Sequence, residues 1–117
     1  MVPFMLPSQA VEILEYLDWR GQSPFAEWFE GLPALAAAKV TVAIFRLRLG
    51  NFSNVKGVGS GVYEYRINFG PGFRIYLGKD GERLVILLAG GTKKRQQKDI
   101  EDAISRWQDY KKRKRIE

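Results

Sequence analysis

The fold is decided by residues 61–90, GVYEYRINFGPGFRIYLGKDGERLVILLAG, where polar and apolar residues alternate between glycine-containing turns. Alternation with a period of two is typical of β-strands, and it predicts three strands over residues 62–69, 72–78 and 82–89. The short connections Gly70-Pro71-Gly72 and Lys79-Asp80-Gly81 predict hairpins between them. The stretch therefore predicts an antiparallel three-stranded meander.

Alternation also separates the polar side chains of this meander from the apolar ones. Glu64 and Arg66 share one face of the first strand, and Arg74 and Tyr76 share one face of the second. If these faces coincide, the four residues form a polar patch on one side of the sheet, and aromatic and aliphatic residues cover the other side. The third run, residues 84–88, is apolar on both faces, which indicates a central strand or a strand covered by helices on both sides.

The flanking sequence predicts one more strand and three helices. Upstream, Val11 and Ile13 indicate a first strand that ends near Trp19. Ser23-Pro24 is an N-cap and first-turn pair, and the apolar stripe of the helix that follows is Phe25, Trp28, Phe29 and Leu32. A second stripe predicts a helix from Pro33 to Gly50-Asn51, with Leu35, Ala38, Val42, Phe45 and Leu49. A third stripe predicts a last helix, with Ile100, Ala103, Ile104 and Trp107.

This layout predicts a single α+β domain over residues 1–117, with helices on one face of the sheet. Residues 1–8, which contain two prolines, are predicted to be an irregular leader, and residues 111–117 a basic tail. No apolar stretch is long enough to span a bilayer, and no basic segment followed by an apolar one marks a signal peptide, so we expect a cytoplasmic protein.

Composition limits the chemistry. The chain has no Cys and no His, which excludes disulfides, the usual zinc ligands and every His-based catalytic triad. Residues 33–117 contain 18 basic and 8 acidic side chains, whereas residues 1–32 contain one basic and five acidic ones. Such a bias is typical of proteins with a polyanionic partner such as nucleic acid, although it also occurs as a solubilising surface charge.

Several motifs occur in a fixed order: LGNF (49–52) with VK (55–56), GVYEYRI (61–67), GPGFRIY (70–76), LLAGGTK (87–93) and QKDI (97–100). In their order and spacing, the sequence resembles toxins of the RelE/ParE superfamily, in particular the addiction module killer proteins, phage-derived relatives of the HigB and RelE toxins. The resemblance implies a RelE-like fold. It also implies either RelE-like cleavage of messenger RNA in the ribosomal A site, without a metal or other cofactor, or ParE-like inhibition of DNA gyrase.

The resemblance also suggests which residues act. RNA cleavage by a 2′-hydroxyl requires a proton acceptor, a proton donor and, above all, cations around the phosphate. Arg74 occupies the position of the phosphate-binding Arg of RelE-like toxins, and Arg66 lies near another basic strand position. Lys56, in a loop before the meander, and Lys93, after the last strand, match two further basic positions. Each of these residues could instead be an ordinary surface cation, and Arg74 could pair with Glu64 or Glu82.

The proton acceptor stays open between Glu64, by chemistry, and Lys56, by analogy, and Glu64 could instead orient Arg66 or Arg74. Further RNA contacts are predicted at Lys94, Arg95 and Tyr76. The glycines at 57, 59 and 61 are interpreted as a flexible loop on the substrate side, because the residues that complete a phosphate-binding P-loop are missing.

The resemblance implies partners as well: a small helix-turn-helix antitoxin, the ribosome with its messenger RNA, and operator DNA bound only through the antitoxin complex. No membrane partner is expected. Two residues depart from the family pattern, since Thr92 stands where an Asp often precedes the Lys, and a late Tyr near Asp99 is missing. These departures keep a third alternative open beside the nuclease and the gyrase inhibitor, namely an inactive relative that acts as a binding module or co-repressor.

Overall fold

The computed structural model describes residues 10–116, so the predicted leader and the last residue of the basic tail lie outside the described residues. The elements are β1 Glu12–Glu15, α1 Pro24–Glu30, α2 Ala34–Arg48, β2 Val55–Gly59, β3 Val62–Ile67, β4 Phe73–Lys79, β5 Leu84–Thr92 and α3 Gln96–Ile116. A single 3-10 turn, Lys93–Arg95, precedes α3. This order confirms the predicted α+β fold.

The five strands form one sheet in the order β1-β5-β4-β3-β2. The predicted meander is confirmed as β3, β4 and β5, and β1 adds to its edge parallel to β5. β1 is shorter than predicted and ends at Glu15. The chain turns away before Trp19 because the Asp18 carboxylate accepts hydrogen bonds from the backbone N–H groups of Arg20 and Gln22, which fixes a turn there.

β2 corrects the prediction of a flexible glycine loop before the meander. Gly57 and Gly59 pair with β3, so Lys56 lies in a strand and not in a loop. Ser60 and Gly61 form a two-residue turn in which both have positive φ, 54° and 82°, as a type I′ hairpin requires. The glycines therefore belong to a hairpin. The sequence pattern is weak here because only Val55 and Val58 provide apolar side chains.

Helices cover both faces of the sheet, so the prediction of helices on one face is wrong. α1 and α2 cover one face, where Val40 and Leu47 belong to the core. α3 covers the other face, where Trp107 is buried. β5 contributes to both cores, with Leu87 on the first side and Leu88 on the second. This arrangement is the physical reason why the β5 sequence is apolar on both faces.

The first two helices form as predicted. Ser23 caps α1, since its Oγ accepts a hydrogen bond from the Ala26 backbone N–H at 3.0 Å. In α2, however, the predicted stripe faces solvent: Leu35, Ala38, Val42, Phe45 and Leu49 are all exposed. The face that packs on the sheet consists of Ala36, Val40, Ala43 and Leu47.

Glycines in the strands allow two tryptophan rings to pack directly against the sheet backbone. The Trp107 ring of α3 occupies the space above Gly78, and the Trp28 ring of α1 occupies the space above Gly90 on the opposite face, so a Cβ at either glycine would overlap a ring. These contacts fix how closely each helix approaches the sheet. None of the helices in residues 10–116 is both long and apolar enough to cross a membrane.

Candidate functional site

The polar side chains of the meander meet in two neighbouring rows across the sheet. In the first row, Lys56 of β2 is paired with Glu64 of β3, and Glu64 with Tyr76 of β4. In the second row, Arg66 of β3 is paired with Arg74 of β4. Paired residues of neighbouring strands project to the same side, and here that side is the one that α3 covers. The predicted coincidence of the charged faces is confirmed.

Glu64 is at the centre of this cluster and is fully buried. Arg66 Nε donates a hydrogen bond to Glu64 Oε1 at 2.6 Å, and Gln96 Nε2 of α3 donates one to Oε2 at 3.1 Å. Arg74 Nε lies 3.6 Å from the same Oε2 atom, which makes an ion pair but not a hydrogen bond. Because both carboxylate oxygens are engaged and none of the side chain is exposed, the geometry favours Glu64 as the residue that positions the arginines over Glu64 as the proton acceptor.

The two arginines differ in accessibility. The Arg66 side chain is 52% exposed, whereas that of Arg74 is 9% exposed. Arg74 Nε is buried and has no hydrogen-bond partner within residues 10–116. Its Nη1 lies beside Gly72, 3.7 Å from the position that a Cβ would take there. Arg66 therefore presents its charge to solvent, and Arg74 lies behind it as a second, largely buried cation.

Lys93 joins the cluster at the end of β5. Its backbone N–H donates a hydrogen bond to the Gly72 carbonyl at 3.0 Å, and its Cβ lies 3.8 Å from the position of a Cβ on Gly72. Lys93 and Arg74 thus flank Gly72, where a side chain would take up space between them. Lys56 and Lys93 are both exposed. The structure brings the four predicted cations, Lys56, Arg66, Arg74 and Lys93, to one side of the sheet.

Tyr76 lies beneath α3 with no exposed surface, so it presents nothing to RNA in this structure. Its hydroxyl has no hydrogen-bond partner within the described part of the chain. Burial, followed by the negative charges of Glu64 and Asp99, raises the pKa of Tyr76 to about 12. The phenol therefore stays protonated at neutral pH, and the predicted contact between Tyr76 and RNA would require a movement of α3.

The other two residues predicted to bind RNA lie on the 3-10 turn. Lys94 and Arg95 are exposed. Arg95 lines a groove of about 350 Å³ between α1 and α3, with Trp28 and Asp99 among its other lining residues. Its lining does not include Lys56, Glu64, Arg66 or Arg74. Among residues 10–116, no three His, Cys, Asp or Glu side chains are grouped so that they could hold a metal ion.

Two residues of α3 complete the site, and neither was predicted to be part of it. Gln96 binds Glu64, and the Asp99 carboxylate lies directly against Gly91, where a Cβ would overlap it. Burial raises the pKa of Asp99, outweighing the opposite effect of neighbouring Arg95. Gly90-Gly91 at the end of β5 is a sequence signal for such a close approach. Nothing in the sequence marks Gln96, because its role depends on how α3 docks on the sheet.

Comparison with known proteins adds two findings. The family model described as phage-derived protein Gp49-like (DUF891) matches residues 27–108. An uncharacterized protein of Haemophilus influenzae is 46% identical over 80 residues, which are 68% of this chain and 81% of that protein. The matched range of the family model contains every residue of the cluster around Glu64.

Proposed function

The chain belongs to the phage-derived Gp49-like family, and from this premise we propose that it is the toxin of a type II toxin–antitoxin system, a ribosome-dependent endoribonuclease that cleaves messenger RNA. The motifs that resemble addiction module killer proteins, at residues 49–100, all lie within the matched range of 27–108. The resemblance and the family match therefore rest on the same part of the chain. An enzyme of this kind would act in the cytoplasm, where its ribosomes are.

The observation that carries the proposal is the cluster of cations around Glu64. Two arginines converge on one fully buried carboxylate, and two exposed lysines lie beside them. Burying a carboxylate and its arginine partners costs desolvation free energy. We therefore infer that the arrangement serves to orient the arginines for a ligand. Arg66 uses Nε for Glu64, so its terminal amino groups can face a phosphate, and the planar guanidinium can bind two phosphate oxygens at once.

The proposed reaction is an in-line attack of a 2′-hydroxyl on the adjacent phosphate. The bond between O2′ and phosphorus forms, the bond between phosphorus and O5′ breaks, the 2′-hydroxyl proton passes to an acceptor and O5′ receives a proton. Negative charge accumulates on the non-bridging oxygens in the transition state, and preorganised cations stabilise it. We assign this stabilisation to Arg66 and Arg74, with Lys93 beside Gly72, and we assign to Glu64 and Gln96 the positioning of the arginines.

Lys56 is exposed and pairs with Glu64 across β2 and β3. Substitutions of Lys56 distinguish two roles, a source of positive charge and the acceptor of the 2′-hydroxyl proton. If Lys56 only supplies positive charge, Lys56→Arg should retain most cleavage and Lys56→Ala should lose it. If Lys56 accepts the 2′-hydroxyl proton, both variants should be impaired alike, because an arginine remains protonated. Cleavage rates measured on programmed ribosomes with the purified variants distinguish the two outcomes.

The main test is induced expression of the wild type and Arg66→Ala in a bacterial host that lacks any antitoxin for this chain. Arg66 is preferable to Arg74, because its side chain is 52% exposed and water can replace its hydrogen bond to Glu64, whereas truncating the 9% exposed Arg74 would leave a buried cavity and so threaten folding. Arg83→Ala, in an exposed turn before β5, is the matched control. Growth is followed, and the 5′ ends of ribosome-bound messages are mapped.

We expect the wild type and Arg83→Ala to arrest growth and to cut messages in the A site, and Arg66→Ala to do neither while it remains folded by circular dichroism. Growth arrest with intact messages and induced DNA-damage signalling would replace the nuclease with a gyrase inhibitor. Normal growth with the wild type would favour an inactive binding module. As a toxin, the chain would be neutralised by a cognate antitoxin, which we propose is a small helix-turn-helix protein that also recruits the complex to operator DNA.

A further inference from the structure

The outer side of α2 carries an apolar stripe that nothing in residues 10–116 covers. Leu35 is 61% exposed, Val42 47%, Phe45 57% and Leu49, which directly follows the helix, 51%. Ala38 is exposed between the first two. Exposed apolar residues are common singly, but a contiguous apolar patch indicates an interaction surface. The stripe lies roughly opposite the buried face of the same helix, Ala36, Val40, Ala43 and Leu47.

The spacing of the stripe identifies the shape of its partner. From Leu35 to Leu49 the successive intervals are three, four, three and four residues, which is the a/d pattern of two heptads. A narrow apolar stripe of this kind is sufficient when a helix packs along one other helix, because the side chains of each helix insert between those of its partner. The stripe therefore fits a single helix that lies nearly along α2.

The charges beside the stripe identify the chemistry of that helix. With Leu35 at position a, Lys39 and Arg46 fall at the e positions and Arg48 at a g position, and all three are exposed. α2 contains no acidic residue. In a coiled coil, the e and g residues determine the choice of partner through their charges. A second copy of this chain is disfavoured, because an antiparallel pair of α2 helices would bring Lys39 of one copy near Arg46 of the other.

We propose that α2 docks an acidic amphipathic helix of another protein, with apolar residues at its a and d positions and Glu or Asp at its e and g positions. The α2 stripe and the Glu64 carboxylate lie on different faces of the sheet, since α2 covers one face and the Glu64 cluster lies on the face that α3 covers. Arg66 also lines a groove with Lys39, Val42 and Arg46 of α2, so a helix bound to α2 would lie near Arg66.

The test uses the full chain and a synthetic peptide of three heptads with Leu at a and d and Glu at e and g, labelled for fluorescence anisotropy. A peptide with Lys at e and g is the control ligand. The substituted protein is Val42→Gln/Phe45→Gln, and its matched control is Trp19→Gln, which removes an exposed aromatic residue from a turn outside α2. Because all three positions are exposed, circular dichroism spectra and melting temperatures should match those of the wild type.

We expect the wild type and Trp19→Gln to bind the Glu peptide in preference to the Lys peptide. The Val42→Gln/Phe45→Gln variant should bind at least roughly tenfold more weakly, as is usual when central apolar anchors are removed. Arg46→Glu/Arg48→Glu should reverse the preference toward the Lys peptide. That reversal is a readout of the charge pairing that a non-specific apolar contact would not give.

Three results would overturn the proposal: no binding of the Glu peptide, equal binding by Val42→Gln/Phe45→Gln, or no effect of the charge reversal. Sedimentation velocity of the chain alone addresses the other occupant. A wild-type dimer that Phe45→Gln converts to a monomer would assign the stripe to a second copy and would also refute the proposal. None of these measurements depends on RNA cleavage, so the docking surface and the proposed nuclease can fail independently.

Discussion

Replacing Glu64 by Gln tests whether the site is organised around one buried carboxylate. The substitution keeps the size of the side chain and one carbonyl acceptor but removes the negative charge. Arg74 would then be a cation with a 9% exposed side chain and no anion at its present distance of 3.6 Å. Removing one partner of a buried ion pair costs about 3–5 kcal/mol, because the other charge is left uncompensated.

We expect the lower end of that range, about 3 kcal/mol, because Arg66, the other arginine that contacts Glu64, is half exposed and water can compensate its charge. In a domain of this size, each kcal/mol of lost stability lowers the melting temperature by about 4 °C, so we expect a fall of roughly 12 °C. Glu82→Gln, in an exposed turn, is the matched control and should change the free energy of unfolding by less than about 0.5 kcal/mol.

The assay is urea unfolding followed by circular dichroism for the wild type, Glu64→Gln, Arg74→Met and the double variant. If the carboxylate compensates Arg74, the double variant should be more stable than the sum of the single effects predicts, by at least about 1.5 kcal/mol. A cost of Glu64→Gln within about 0.5 kcal/mol of zero would refute the reasoning. So would additive single effects, since the two residues would then be energetically independent.

Three further substitutions test other parts of the packing and the electrostatics. Gly78→Ala should lower the free energy of unfolding, measured by thermal unfolding, by about 2 kcal/mol, because its Cβ would overlap the Trp107 ring. Gly57→Ala should be nearly neutral, because its Cβ would be in ordinary contact, 3.9 Å from a ring atom of Tyr63. Tyr76→Phe removes a buried hydroxyl that has no described partner, so the variant should be as stable as the wild type or more stable by up to about 1 kcal/mol; a clear loss in urea unfolding would reveal a missing hydrogen bond. The pKa of Asp99 is raised above 3.8 in the folded chain, so its charged form is penalised there and stability is lost as the pH rises from 3.8 through the folded pKa. The stability of Asp99→Asn relative to the wild type should therefore increase as the pH rises from about 3 to about 7. A difference in the free energy of unfolding that does not change with pH would contradict this.

The sequence is informative where one periodicity determines one structure. Alternation over residues 61–90 predicted the meander and the shared face of Glu64 and Arg74, because a strand has only two faces and each takes every second residue. Ser23-Pro24 predicted the start of α1, because an N-cap depends on neighbouring residues alone. In each case the deciding interaction is local, so a pattern within a few residues records it.

The missed features depend on contacts between distant segments. α2 is apolar on two sides, so periodicity could not tell which side is buried; the structure buries the side that includes Ala36 and Ala43, whose small side chains allow a close approach to the sheet. The same holds for Gln96, which reaches Glu64 across 32 positions of sequence. Its role follows from the docking of α3, and no local pattern encodes that docking.

The positions of the two proposed surfaces lead to a last prediction. Side chains alternate along each strand, so β3 directs Glu64 toward α3 and its neighbour Tyr65 toward the core that α2 covers. Phe45, on the outer side of α2, is not among the residues that line the groove shared by Arg66 and Arg46, so Phe45 and Arg66 have no contact in common there. Substitutions without shared partners usually have additive effects. Phe45→Gln should therefore lower peptide affinity equally in the wild type and in Arg66→Ala, and Arg66→Ala should impair cleavage equally with and without Phe45→Gln. Measured coupling above about 0.5 kcal/mol in either readout would mean that the two surfaces influence each other, either across the sheet or through that groove.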